Sequence, residues 1–269
     1  MSKLGIIAAK GGLVQELIEY AANSGGAFVV ALEGEADPKM VAKLDHIWIK
    51  LGEVGKAVKA MREAGVKEIV IVGSLYKPDI FKVKVDWLGA KLLAQIVKEK
   101  FLGDNKLLSS IMRFLEAQGF KLIGVHEILK HLVVESAIYT KLKPTAKDKI
   151  DIELAIEVVK QLGALDIGQG AIVENGIVLG VEAIEGTDGL IKRCAGFKRD
   201  SGSNGVLVKF SKPGQELRMD LPTIGINTIK NLHKAGFKGL IIESKKAIFL
   251  DQDKVIEYAN KNKMFVGAM

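Results

Sequence analysis

The chain has a single cysteine, Cys194, in 269 residues. No intrachain disulfide can form and zinc sites built on cysteine clusters are excluded, which suits a reducing compartment. Aromatics make up only 6%, and arginine occurs at just five positions: Arg62, Arg113, Arg193, Arg199 and Arg218. Nucleic-acid recognition leans on arginine forks and stacked aromatic rings, so no nucleic-acid partner is expected. No run of about 18 apolar residues exists, so nothing in the sequence reads as a bilayer span. Near the N-terminus, Lys10 and Gly11 interrupt the apolar stretch before it reaches signal-peptide length. The expectation is a cytoplasmic protein, at most peripheral to a membrane.

What is present is ordinary for a globular fold: 48% hydrophobic and 26% charged residues, which rules out wholesale disorder. The length is close to two domains. A chain of this size buries about 75% of its unfolded surface and needs no structural metal. The net charge of +7 favours anionic partners such as nucleotides or phospholipid surfaces, and equally describes a lysine-rich solvated exterior.

The hydrophobic pattern divides the chain into two α/β halves, 1–135 and 150–269, with a linker at 136–149. In the first half, apolar runs at 4–9, 27–32, 47–51 and 68–73 read as strands. A helix at 53–64, and further helices at 86–100 and 104–118, alternate with or follow them, which implies a parallel sheet with right-handed crossovers. The polar, basic stretch 139–149 contains Pro144 and reads as the connection. Beyond it, a helix is expected at 150–162 and a hairpin at 171–182 around Asn175-Gly176. A helix from about Thr187, a strand at 205–210 and a helix at 223–235 follow. Strands at 239–243, 247–250 and 264–267 with a helix at 253–260 complete a mixed α/β half.

Several segments carry candidate chemistry. A strand leading into Gly11-Gly12 and then a helix presents backbone N–H groups and the positive end of a helix dipole to an anion. The spacing is neither the dinucleotide fingerprint nor a P-loop, so a purely structural turn is the equal alternative. Ser74 and Lys77 follow a strand at the edge where open parallel sheets place ligands; an ordinary exposed loop also fits. In the second half, Asp166, Glu182, Glu185 and Asp188 crowd against apolar strands. With a helix starting near Thr187, its amides and the Thr187 hydroxyl would meet a diphosphate, while Asp188 and Glu185 would hold a divalent cation. The competing reading makes Thr187 a cap and Asp188 a first-turn acid. Asp220 precedes a helix that Pro222 would open, so its carboxylate is expected near that N-terminus, ionised and fit for a metal or water. Simple capping is the alternative. Arg218 suits a phosphate or a neighbouring acid.

Leu4-Gly-Ile-Ile-Ala before a glycine turn, Lys77-Pro-Asp79 after Gly73, Gly103-Asp-Asn-Lys-Leu-Leu108, Leu165-Asp-Ile-Gly-Gln-Gly170, Val181-Glu-Ala-Ile-Glu-Gly-Thr-Asp188 and Met219-Asp-Leu-Pro-Thr-Ile-Gly225 occur in one order. In these motifs the chain resembles the UDP-2,3-diacylglucosamine pyrophosphatases of lipid A biosynthesis, over almost its whole length. The resemblance implies a Rossmann-like N-terminal domain and a distinct α/β catalytic domain with substrate between them. It implies Mg²⁺-dependent cleavage of the substrate's diphosphate to UMP and 2,3-diacylglucosamine 1-phosphate, with contact to the cytosolic face of the inner membrane; a homodimer is left open. Asp220 takes the family's catalytic position. Asp188 joins it as catalytic residue and metal ligand. Gly11, Gly12, Ser74, Lys77, Asp166, Gln169, Glu185, Gly186, Thr187, Arg193, Arg218 and Thr223 become substrate contacts, the basic ones toward the outgoing phosphate. The match departs at Ala9-Lys10-Gly11-Gly12-Leu13-Val14, where Lys10 replaces a glycine and a proline is absent. Two other readings are a non-catalytic lipid or nucleotide binder using the same cleft, and a sugar-nucleotide oxidoreductase, which lacks the fingerprint glycines.

Overall fold

The structure is a computed structural model that describes residues 3–74, 83–98, 104–198, 204–219 and 221–269. It consists of two compact units. One comprises the chain to Leu129 together with the short segment after Gln215, and the other comprises the remainder.

The first unit alternates strand and helix: β1 (Lys3–Ala8), α1 (Gly12–Asn23), β2 (Ala27–Leu32), α2 (Pro38–Val41), β3 (Asp45–Ile49), α3 (Val54–Glu63), β4 (Val66–Val72), α4 (Trp87–Lys98), α5 (Asp104–Ala117), β5 (Lys121–Leu122) and α6 (Val125–Ile128). Its strands pair in parallel in the order β3-β2-β1-β4-β5. This is the expected Rossmann-like sheet. The strand order reverses between β1 and β4, so the turns after those two strands flank the crevice where such sheets accept ligands. The core is built from Val30, Ile49, Val58, Met61, Ile69 and Leu122, the inward positions of strands and helices spaced by the two periodicities.

The second unit contains β6 (Ala137–Ile138), α7 (Ala146–Ala164), β7 (Gly170–Glu174), β8 (Ile177–Val181), α8 (Gly186–Ala195), β9 (Val206–Lys209), β10 (Thr223–Ile224), α9 (Ile226–Lys234), β11 (Gly239–Ile242), β12 (Ile248–Phe249), α10 (Gln252–Lys261) and β13 (Phe265–Ala268). Its mixed sheet runs β6-β13-β11-β9-β7-β8, with β9, β11 and β13 parallel and the outer strands antiparallel. Alternate residues feed two cores. Ala171, Val173, Val206, Val208 and Ile241 pack with Ile152, Ala155 and Val159 of α7. Ile172, Leu207, Leu240 and Ile242 pack with Leu190, Ile229, Leu232 and Val255 of α8, α9 and α10.

Local signals account for the joints. The hairpin turn has φ 55° at Asn175 and 76° at Gly176, as a two-residue primed turn requires. Both its amides donate to the Asp151 carboxylate of α7, at 2.9 and 2.6 Å. Thr145 and Asp148 form a capping box at the start of α7, and Lys238 donates to Asp148 at 2.7 Å. The segment 136–149, expected as a linker, therefore holds an edge strand paired with β13 and the cap of α7. Thr140 and Asp148 of this segment are buried by that pairing and capping, while its lysines remain exposed. The helix expected at 223–235 starts later: Thr223 and Ile224 pair with Ile248 and Phe249, and the helix begins at Ile226 behind Gly225. Pro222 does not open it, because its carbonyl accepts from Ile248 N and continues that small sheet.

Candidate active site

In the first unit the glycine turn forms as expected. Gly11, with φ 133°, precedes α1 without any side-chain cap. Gly73, with φ 105°, lets the turn after β4 approach so closely that a Cβ there would lie 2.9 Å from the Lys10 carbonyl oxygen and from Val14. Ser74 N donates to that carbonyl at 2.9 Å. Beside the turn is a cleft of about 250 Å³ lined in part by Lys10, Gly11, Gly12, Glu35 and Asp37. The Lys10 ammonium lies 3.6 Å from Glu35 and is largely exposed. Lys77 lies outside the described residues.

In the second unit the candidate residues gather at the C-terminal edge of β9 and the start of α8. Gly170 sits between two neighbours in the sheet: Lys209 opposite it on β9, and Glu182, whose amide donates to the Gly170 carbonyl at 2.7 Å. Cross-strand neighbours share a face. Glu182 and Lys209 thus flank a residue with no side chain. A Cβ on Gly170 would stand 2.6 Å from Glu182 Oε2, and one on Gly168 would strike the Glu182 carbonyl. These two glycines let the exit of β8 lie flush against the start of β7. Thr187, in the first turn of α8, closes the group from above. Lys209 Nζ donates to Thr187 Oγ1 at 2.8 Å, and Thr187 Oγ1 donates to Glu182 Oε1 at 3.0 Å. Glu182 and Lys209 are 6% and 8% exposed, and among the described residues Glu182 Oε2 has no hydrogen-bond partner. Gln169 Oε1 is likewise buried without a partner among the described residues.

The other acids of this region are engaged. Asp188 accepts from Asn231 of α9 at 2.9 Å and is exposed. Glu185 takes Arg193 at 2.6 Å, which also donates to the Val181 carbonyl at 2.9 Å. The Arg193 hydrogen bond holds the Glu185 carboxyl below its ordinary range. Asp166, in the left-handed region at φ 56°, pairs with Lys212 at 2.7 Å. Thr223 donates to Leu221 O at 3.0 Å, and Gly186 turns the chain into α8 with φ 71°. Burial pushes the Cys194 thiol up, and it packs against Gly180, away from nucleophilic chemistry.

Arg218 belongs to the first unit. Its guanidinium forks onto Glu216 at 2.8 and 2.9 Å and reaches Glu116 of α5 at 3.2 Å, the neighbouring-acid arrangement of the two expected for it. Asp220 lies outside the described residues.

Among the described residues no three acidic, histidine or cysteine side chains converge as a metal cage. What α8 offers is one exposed first-turn carboxylate, Asp188, beside helix amides. Mg²⁺ takes one or two carboxylates and leaves the rest of its shell to phosphates and water, so Asp188 fits as one ligand of such a cation, while the helix amides suit a phosphate oxygen.

Sequence reasoning missed Lys209. The signal was present: Val206, Leu207, Val208 and Phe210 make an apolar strand that a buried lysine interrupts.

Two α/β units, one on a parallel sheet and one on a mixed sheet with a buried polar cluster at its edge, define the class as a two-unit α/β protein. Comparison with known proteins narrows it. The family model for the LpxI N-terminal domain matches residues 3–132, and that for the LpxI C-terminal domain matches residues 135–267. The chain belongs to this family, and it is a hydrolase acting on a diphosphate bond. A curated relative, UDP-2,3-diacylglucosamine pyrophosphatase LpxI of Caulobacter vibrioides, is 36% identical over 272 residues, covering 99% of this chain and 97% of the relative.

Proposed function

We propose that this protein hydrolyses the diphosphate of UDP-2,3-diacylglucosamine, in a Mg²⁺-dependent reaction, to UMP and 2,3-diacylglucosamine 1-phosphate for lipid A synthesis. The observation that carries the reading is the agreement along nearly the whole chain with a relative named for that substrate. The second unit supports it: the first turn of α8 presents amides and Asp188 where a diphosphate can be received.

A diphosphate repels its nucleophile, so catalysis must neutralise its oxygens and place water in line. Water attacks the sugar-side phosphorus. The bond from that phosphorus to the bridging oxygen breaks, and the bridging oxygen leaves with UMP. Asp220 and Asp188 would hold Mg²⁺, which when bound supplies positive charge to the non-bridging oxygens. On this reading Asp220 also serves to orient the water, and Lys77 to neutralise the outgoing phosphate.

Apolar side chains stand out beside this turn. Leu165 is 72% and Ile184 84% exposed, on two loops joined where Gly168 meets Glu182. They suit acyl chains delivered from the inner membrane's cytosolic face, a peripheral contact made without a spanning segment: among the described residues no helix is long and apolar enough to cross a membrane.

The test is Asp220→Ala in a folded variant. Mg²⁺-dependent UMP release is expected to fall by about 10³-fold or more with substrate still bound. Undiminished release refutes the assignment of Asp220, and UMP release that is indifferent to chelation of Mg²⁺ refutes the cation.

A further inference from the structure

The Thr187 hydroxyl is committed on both sides. Its proton goes to Glu182 Oε1 and it accepts a hydrogen from Lys209 Nζ. A hydroxyl carries one proton, so in this geometry none is left for a phosphate oxygen. The two partners come from different strands, β9 and the end of β8, and both are buried. Among the described residues the Lys209 ammonium has Thr187 as its one side-chain hydrogen-bond partner, and no carboxylate within ion-pair distance. Burying an acid and a base that do not pair directly is costly, and a chain gains nothing in stability from it that an apolar pair would not supply. Gly170 is shaped to accommodate the arrangement, since any side chain there would displace the Glu182 carboxylate. Among the described residues, the group that the acid and base share is the hydroxyl in the first turn of α8. Glu185 precedes α8 without a capping bond from its side chain.

We propose that Glu182, Thr187 and Lys209 act as one positioning unit for the first turn of α8. The Thr187 hydroxyl does not bind the diphosphate. It is clamped between an acid and a base so that the turn carrying Asp188 is held rigidly over the sheet edge. Glu182 and Lys209 contribute to catalysis through Thr187, and none of the three is a catalytic residue. The inference rests on the reading that α8 receives the diphosphate, and it replaces the role of Thr187 within that reading.

Steady-state kinetics on the purified full-length enzyme with UDP-2,3-diacylglucosamine and Mg²⁺ test it. Thr187→Val keeps the shape and removes the hydroxyl; kcat is expected to fall about 10- to 100-fold, the range for removing a group that orients a site, with KM changed less than about threefold. Thr187→Ser restores most of the loss, because serine supplies the same donor and acceptor. Lys209→Met lowers kcat by a similar factor, and the Thr187→Val/Lys209→Met double variant loses little more than either single change. Where Lys209→Met does not fold, Glu182→Gln replaces it with the same expectations.

A Thr187→Val effect confined to KM overturns the proposal in favour of direct phosphate contact. Serine no better than valine overturns it as well, as do single losses that multiply in the double variant. Asp188→Asn separates the two levels. A fully active Asp188→Asn enzyme removes the placing of diphosphate at α8, whereas an impaired one beside an unimpaired Lys209→Met enzyme removes only the positioning unit.

Discussion

Among the helices that start at a glycine after a strand are α1, behind Gly11, and α8, at Gly186, and neither of these two starts has a side-chain cap. Their surroundings differ. The start of α1 is held by backbone: Gly73 brings the turn after β4 against the Lys10 carbonyl, and the charges nearby, Lys10 and Glu35, are a loose pair at 3.6 Å. The start of α8 is held by side chains: Lys209, Thr187 and Glu182 beneath it, and Arg193 clamping Glu185 to the end of β8. A turn held by backbone tolerates changes of charge and resists changes of shape. A turn held by buried polar groups is sensitive to the loss of any one of them.

The largest effect expected from this contrast is at Gly73. Gly73→Ala forces a side chain into a positive-φ position with contacts at 2.9 Å, and should cost about 3 kcal/mol in urea unfolding of the first unit. A loss below about 0.5 kcal/mol would show that the close approach is not what holds the α1 turn.

Arg193→Ala should cost less, about 1 kcal/mol, since both partners are partly exposed and solvent weakens the pair. Its pH dependence has a definite sign. The Glu185 carboxyl is depressed in the folded state by Arg193, so its contribution is complete above the unfolded carboxyl's pKa and is lost as pH falls through the folded one. The stability gap between wild type and Arg193→Ala should therefore be constant above about pH 5 and shrink below about pH 4. A gap that widens on acidification would contradict the clamp.

The smallest effect belongs to Lys10. Lys10→Ala removes an exposed ion pair and should change stability by less than about 0.5 kcal/mol. A larger loss would mean that the two turns are held alike.

Much of the fold could be read from the pattern of residues. The apolar runs of the first half became β1 to β4, and Asn175-Gly176 became the turn it signals. The errors came where short segments had partners far away. Thr223 and Ile224 carry no strand signal of their own, and become a strand because β12 is there to pair with them. The polar run at 136–149 looks like a linker until Ile138 meets Gly267, and Lys238 meets Asp148. At the candidate site the motif around Thr187 was visible, but the roles of its members were not. Asp166 faces Lys212 and Arg218 reaches Glu116, and neighbours so distant in sequence cannot be counted from spacing.

The order of residues was sufficient to establish the alternation of strand and helix, the division into two α/β halves and the family, because periodicity and motif are local properties of the chain. Only tertiary structure decided that Lys209 lies beneath Thr187, opposite Glu182 and across Gly170. The reason is physical: hydrogen bonds between side chains from two strands and a helix, packed across the glycine of a third strand, depend on sheet register, and register is settled by packing of the whole sheet.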